Sequence, residues 1–315
     1  MTDKKKTIGL IGCGLMGSGI ATSLLRNGFP LCILKHEGNQ PLDALIAAGA
    51  TTAARISTLA RQVEVVILCV TGTPQVEAVL FGDDGVLQSL QPGTIVIDCS
   101  TAIPSSTMRM AQAVRQTGGR FLDAAMTRTP KEAAEGRLNL IVGGTPEDYA
   151  DCLPLLQAYA EVIVHAGPVG SGHQMKLLHN YVSLGFSAVL AEAAALARLS
   201  GADPGLFCEV LAAGGGGGVV LERLRPYIEN GDTKNFRFST ANALKDLEYY
   251  CAMAESLEGS QGVAQAVRNL YADASAAGWA HAPVPQVIDH LAGQHEPGAA
   301  SETQNNNGTH QGNKA

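Results

Sequence analysis

From residue 7 to residue 28 the chain reads TIGLIGCGLMGSGIATSLLRNG, and this order constrains the fold more tightly than any other stretch. Residues 7–11 are a β-branched and aliphatic run. Gly12-Cys13-Gly14-Leu15-Met16-Gly17 is a glycine-spaced turn, after which Ile20, Leu24 and Leu25 recur at helical spacing as far as Asn27-Gly28. The spacing predicts strand, turn, helix. In that order the first glycine permits the tight turn, the second lets a pyrophosphate approach the backbone, and the third lets helix and strand pack closely. The phosphates then lie at the helix N-terminus. With a second strand at Leu31–Leu34, all within ~30 residues, the turn predicts a dinucleotide site made by Gly12, Gly14, Leu15, Met16 and Gly17.

An acidic residue at the end of the second strand would accept hydrogen bonds from the adenosine ribose. Here the strand ends Leu34-Lys35-His36. Lys35, helped by His36, would attract a 2′-phosphate that a carboxylate would repel, so this position favours NADP over NAD. The other reading is a solvated Lys35, with Glu37 taking the ribose of NAD. Further strand-like runs at 63–70, 94–99, 120–123, 138–142 and 162–165 alternate with helical or loop segments, which implies a doubly wound α/β sheet over residues 1–166. Ligands in such sheets sit beyond the carboxyl ends of the strands, placing Val70, Thr71, Ser100 and Thr101 near the cofactor. Pro104 fits the start of the next helix.

After Ala166 the strand pattern stops. Helical patterns follow at 173–200, 203–213, 239–256, 259–277 and 283–291, so residues 167–293 read as an all-helical second domain. Its first helix carries one formal charge between Met175 and Ala191, Lys176. Lys176, His179, Asn180, Ser183 and Ser187 fall at i, i+3, i+4, i+7 and i+11, a polar stripe on a helix otherwise of Leu, Val, Met, Phe and Tyr. A solvated face is usually rich in Glu, Lys and Arg, so this stripe suggests the lining of a polar pocket; weakly solvated surface is the alternative. The lysine and the stripe also interrupt the roughly 20 apolar residues that a membrane span needs. Residues 214–218 are five glycines, which neither helix nor strand would select.

A hydrophobic fraction of 46% allows a large core, and a net charge of −7 without a basic cluster beyond residues 4–6 argues against nucleic acid or an anionic membrane as partner. The seven cysteines form no CxxC pair or metal-ligand spacing and read as buried thiols of a reducing compartment. The N-terminus leads straight into a strand, with no apolar segment ending in a cleavage site, so the expected location is the cytoplasm. Residues 294–315 contain no Val, Leu, Ile, Met, Phe, Tyr or Trp and read as a disordered tail.

Four segments resemble, in order, the landmarks of the β-hydroxyacid dehydrogenase family: IGLIGCGLMGSGIA, the run Phe121-Leu122-Asp123-Ala124-Ala125-Met126-Thr127-Arg128-Thr129, GPVGSGHQMKLLHN, and Lys245-Asp246-Leu247. The likeness covers residues 7–292. It implies a Rossmann-type domain followed by a helical one, Lys176 as catalytic acid/base, Asn180 as a substrate-binding catalytic partner, Lys245 at the cofactor, no metal, and a homodimer or homotetramer in which the long helix packs between subunits. One departure matters. The usual substrate segment DAPVSGG holds a carboxylate with its Ser-Gly-Gly, and here those positions are Thr127, Arg128 and Thr129. They are most similar to the Gly-Arg-Thr of sulfolactaldehyde reductases, where an arginine fork would suit a carboxylate or sulfonate. A salt bridge from Arg128 to Glu132 or Glu135 is the alternative. With His179 and Ser183 also facing substrate, the resemblance implies reversible hydride transfer between NAD(P)H and a short anionic aldehyde acid, giving a 3-hydroxy acid. A desolvated Lys176 would have its pKa lowered and serve as the proton donor. An imine reductase-like enzyme and a non-catalytic dinucleotide-binding sensor remain as alternatives; Lys176 and Asn180 count against the first.

Overall fold

The computed structural model describes residues 5–293, so the tail expected from 294 lies outside the described residues. One sheet takes eight strands: β1 (Ile8–Ile11), β2 (Leu31–Leu34), β3 (Thr51–Ala53), β4 (Val65–Leu68), β5 (Ile95–Asp98), β6 (Arg120–Thr127), β7 (Leu138–Gly143) and β8 (Ala160–Gly167). Their spatial order is β3-β2-β1-β4-β5-β6-β7-β8, and every neighbouring pair is parallel except β6 and β7. β1, β2, β4 and β5 are buried at every residue, as expected of parallel strands covered on both faces. Alternate side chains enter two cores. Ile8, Leu10, Ile33, Val65 and Ile67 belong to one, and Ile11, Cys32, Leu34, Val66 and Leu68 to the other. Those cores are closed by α1 (Leu15–Arg26), α2 (Asp43–Ala47), α3 (Ile56–Ala60), α4 (Thr73–Phe81), α5 (Pro104–Gln116), α6 (Pro130–Glu135) and α7 (Pro146–Leu156). The strand order reverses direction between β1 and β4, which opens a crevice beyond their carboxyl ends.

The helix α8 (Ser171–Leu199) follows, and the two compact units of the chain divide within it, one ending at His179 and the next beginning at Asn180. The second unit contains α9 (Pro204–Ala213), α10 (Val219–Asn230), α11 (Thr240–Ser256), α12 (Gly262–Ala276) and α13 (Val287–Leu291). Its core gathers Leu184, Leu190, Leu221, Leu224, Leu247, Tyr271 and Trp279. The chain is therefore a Rossmann-type doubly wound α/β fold followed by a helical unit.

Several boundaries differ from the sequence reading. β6 does not stop at Asp123 but runs on through Ala124, Ala125 and Met126 to Thr127, held by antiparallel pairing to β7. β8 extends to both sides of 162–165. α10 was not expected, because Pro226 lies inside it, yet Leu221, Leu224, Tyr227 and Ile228 form a buried face. The segment 283–291 is a 3₁₀ turn followed by the short α13. Along α8 the apolar residues divide: Leu177, Leu184 and Leu190 are buried, whereas Met175, Val182, Val189 and Leu196 are exposed. Among the described residues α8 is the one helix long and apolar enough to cross a membrane, and 39% of its most apolar window is buried in the protein.

Candidate active site

The glycine turn has the shape its spacing implies. Gly12 has φ +95°, and a side chain there would strike the Cys69 carbonyl 2.2 Å away, while one at Gly17 would meet the Gly12 carbonyl at 2.0 Å. A Cβ on Gly14 would meet nothing nearer than 4.0 Å, so the backbone is open where a phosphate would approach. α1 has no side-chain cap at Gly14 and no acidic residue in its first turn. Its N-terminal N–H groups are thus left for an anion.

Asn39, which the sequence reading passed over, fastens this turn to β2. Its Oδ1 accepts from the Cys13 N–H at 3.2 Å and its Nδ2 donates to the Leu34 carbonyl at 2.8 Å. Beside it lies a depression of about 460 Å³ lined by Lys35, His36, Glu37, Asn39, Gln40, Leu42 and Ile46. His36 Nδ1 accepts from the Gly38 N–H, leaving Lys35 and Glu37 as the formal charges of that lining. At the next strand ends, Ser100 Oγ accepts from the Val70 N–H at 3.0 Å and Thr73 Oγ1 from the Ile103 N–H at 2.9 Å, tying the loops that carry Thr71 and Thr101.

In the same unit, Lys176 projects from α8 towards β6, its Nζ donating to the Met126 carbonyl at 2.6 Å. The lysine thus lies against the strand whose last residue is Thr127. Arg128 follows with φ +80°, the left-handed region that normally takes glycine. Its guanidinium pairs with Glu161 and the Arg137 carbonyl, not with Glu132 or Glu135. The reason is local: Glu132 closes a capping box with Thr129 at the start of α6, and Glu135 pairs with Arg137. The Thr129 hydroxyl is thereby engaged, and it holds the Glu132 carboxyl below its ordinary pKa.

Within the second unit, Asn180 is 8% exposed and its Nδ2 donates to Asp246 Oδ2 at 2.6 Å. Asp246 is buried, and its other oxygen lies 2.9 Å from Lys245 Nζ. A carboxylate can only accept here, so Asp246 fixes which end of the Asn180 amide faces it. Lys176 and Asn180 stand one turn apart on α8. Further along the stripe, Ser183 is partly buried and Ser187 buried, whereas His179 is exposed.

Fold and glycine turn together define a dinucleotide-binding protein of the Rossmann class. Residues 7–167 match the NAD-binding domain of 6-phosphogluconate dehydrogenase, and residues 170–291 match the NAD-binding domain of NADP-dependent 3-hydroxyisobutyrate dehydrogenase. The chain belongs to the β-hydroxyacid dehydrogenase family and is an NAD(P)-dependent hydroxyacid dehydrogenase. It is 34% identical over 222 residues to the NAD-dependent L-serine dehydrogenase of Pseudomonas aeruginosa, covering 70% of this chain and 74% of that protein. With the 3-sulfolactaldehyde reductase of Escherichia coli K12 it shares 31% identity over 273 residues, 86% of this chain and 91% of the relative. A crystal structure of 3-hydroxyisobutyrate dehydrogenase from Salmonella typhimurium superposes with a TM-score of 0.79 at 26% identity, covering 90% of this chain and 99% of that one.

Proposed function

We propose that the protein catalyses reversible reduction of a short anionic aldehyde acid to a 3-hydroxy acid, with Lys176 as general acid/base. The observation that carries this reading is Lys176 itself: it is the one charged side chain on the buried-to-polar stripe of α8, held at the strand end that leads into Thr127-Arg128-Thr129. Bound NAD(P)H supplies the hydride. Gly14, Leu15, Met16 and Gly17 offer backbone donors to the phosphates, and Lys35 and His36 flank the adenosine end, which favours NADPH. Val70, Thr71, Thr101 and Lys245 complete the cofactor side. An ammonium at Lys176 polarises the carbonyl oxygen and delivers a proton to it as the alcohol forms. Asn180, oriented by Asp246, hydrogen-bonds the same oxygen or its neighbour. Arg128, with Thr127 and Ser183, receives the anionic group; Thr129 acts chiefly by capping α6.

Two broader readings follow the same residues. The exposed apolar row on α8 supports assembly as a homodimer or homotetramer, and the unpaired, mostly buried thiols fit a cytoplasmic protein. The two domains would be divided near residue 167, with α8 beginning the second.

The test is a screen of succinic semialdehyde, tartronate semialdehyde, methylmalonate semialdehyde and sulfolactaldehyde against NADPH and NADH, followed by cofactor absorbance. Turnover of at least one is expected. Cofactor binding with no turnover of any of them, nor of serine in the oxidative direction, would favour the non-catalytic sensor.

A further inference from the structure

At the start of α8, three residues before Lys176, His173 is completely buried, and so are Asp98 at the end of β5 and Asp123 on β6. Asp123 caps the helix: its two oxygens accept from the Gly170 N–H at 2.7 Å and the His173 N–H at 2.8 Å. Asp98 Oδ1 accepts from the Ser100 N–H at 2.9 Å. That leaves Asp98 Oδ2 and His173 Nε2 3.9 Å apart, both enclosed, neither with a hydrogen-bond partner.

The hydroxyl of Thr107 bears on what lies between them. It has one hydrogen; given to the Ile103 carbonyl at 3.2 Å, it leaves the 2.7 Å contact with His173 Nδ1 to an N–H on the imidazole, whereas given to Nδ1 it leaves the ring hydrogen on Nε2. With Nδ1 protonated, a neutral ring would present a bare lone pair at Nε2 to an equally bare carboxylate oxygen, in a site holding two buried carboxylates. Burial without a partner is costly for each of these groups.

We propose that Asp98 and His173 share one additional buried proton near neutral pH, and that this pair makes His173 a positioning residue for Lys176. The pair joins β5 to the first turn of α8, while Asp123 joins β6 to the same turn. Between them they fix where the helix begins, and the Nζ of Lys176 is placed by that start. Gly172 shows how close the fit is, since a Cβ there would lie 2.5 Å from the Ile141 carbonyl. The titratable groups facing the pair are Asp123 from β6 and the thiols of Cys69 and Cys99 at the ends of β4 and β5. The Asp98 carboxyl is pushed up by burial and pulled back by His173, in keeping with a retained proton. Loss of that proton at alkaline pH would set two acceptors against each other and loosen the first turn.

The positioning role rests on the proposed chemistry of Lys176; the proton does not, so two measurements separate them. In wild-type protein labelled with ¹⁵N-histidine, both ring nitrogens of His173 are expected to carry hydrogen, or Nδ1 alone with Asp98 protonated by ¹³C carboxyl shift. An Nδ1 without hydrogen, or an ionised Asp98 facing a neutral ring at pH 7, overturns the proton. On an aldehyde acid that wild type reduces, His173→Ala is expected to lower kcat at least tenfold while the Kd for NADPH stays within twofold. His173→Gln, whose amide donates to Asp98 without titrating, should recover kcat to within about threefold and shift the alkaline limb of the pH profile. A kcat unchanged in both variants, or an alkaline limb that neither moves, overturns the positioning role. If wild type reduces no aldehyde acid, the chemical reading fails and the NMR result still stands.

Discussion

At the scale of single residues, each assigned role has a distinct signature. Lys176→Ala should leave cofactor affinity nearly unchanged and lower turnover at least ~100-fold, the usual span of a lost general acid; near-normal turnover would remove the assignment. Lys35→Asp should reverse or erase a preference for NADPH, because it puts a carboxylate where a 2′-phosphate would lie. Equal efficiency of wild type with NADH would show that Glu37, in the same lining, governs the ribose instead. Arg128 is paired with Glu161, whose side chain is half exposed, and such pairs contribute only about 0–1 kcal/mol. A substrate anion can therefore displace Glu161. Arg128→Ala should lower efficiency for a charged aldehyde by roughly 10- to 150-fold, the span of a charge-assisted hydrogen bond, and leave a neutral aldehyde of similar size little changed. If both substrates lose equally, the arginine serves the β6–α6 corner and not the anion.

At the scale of elements, the parts that obey one local rule were legible in the sequence. The strand-turn-helix of β1 and α1 appears as read, and so do β2 and the start of α5 at Pro104, because buried parallel strands and helix starts carry their own signals. β3 has three residues and only Ala53 buried, too little to register as an apolar run. α10 was hidden by Pro226, and the end of β6 by a segment read for its chemistry when its pairing to β7 decides its shape. In the candidate site the stripe on α8 could be read from spacing. Asn39, Asp98 and Asp246 could not, since the partners that place them in the site, Cys13, His173 and Asn180, lie 26, 75 and 66 positions away and only folding reveals them. α8 also shows a second periodicity. Met175, Val182, Val189 and Leu196 are exposed at intervals of seven, a seam of the kind a second helix covers. Val189→Glu is expected to shift the protein to a smaller species in sedimentation velocity while its helical circular dichroism is unchanged. An unaltered sedimentation coefficient would place any self-association elsewhere.

At the scale of the whole molecule, burial of ionisable groups sets how the fold tolerates base. Burial pushes the Cys13 thiol up to about 11 and the Cys152 thiol up to about 12, against 9.0 for an ordinary thiol. Between pH 9 and 11 the unfolded chain loses these protons while the native chain keeps them, so unfolding is favoured as pH rises. The stability that both thiols contribute is fully present below pH 9 and falls by about 1.4 kcal/mol per pH unit for each. Thermal melts from pH 8 to 10.5 should show a flat region and then a descent beginning near 9; a melting temperature level across that range would mean the thiols ionise in place. None of the seven cysteines is paired, and five are buried. Unfolding therefore releases a full set of competing nucleophiles at once, able to cross-link in many wrong combinations. Heated in air without reductant, a sample has no route back, and its apparent melting temperature becomes a function of how fast it was heated.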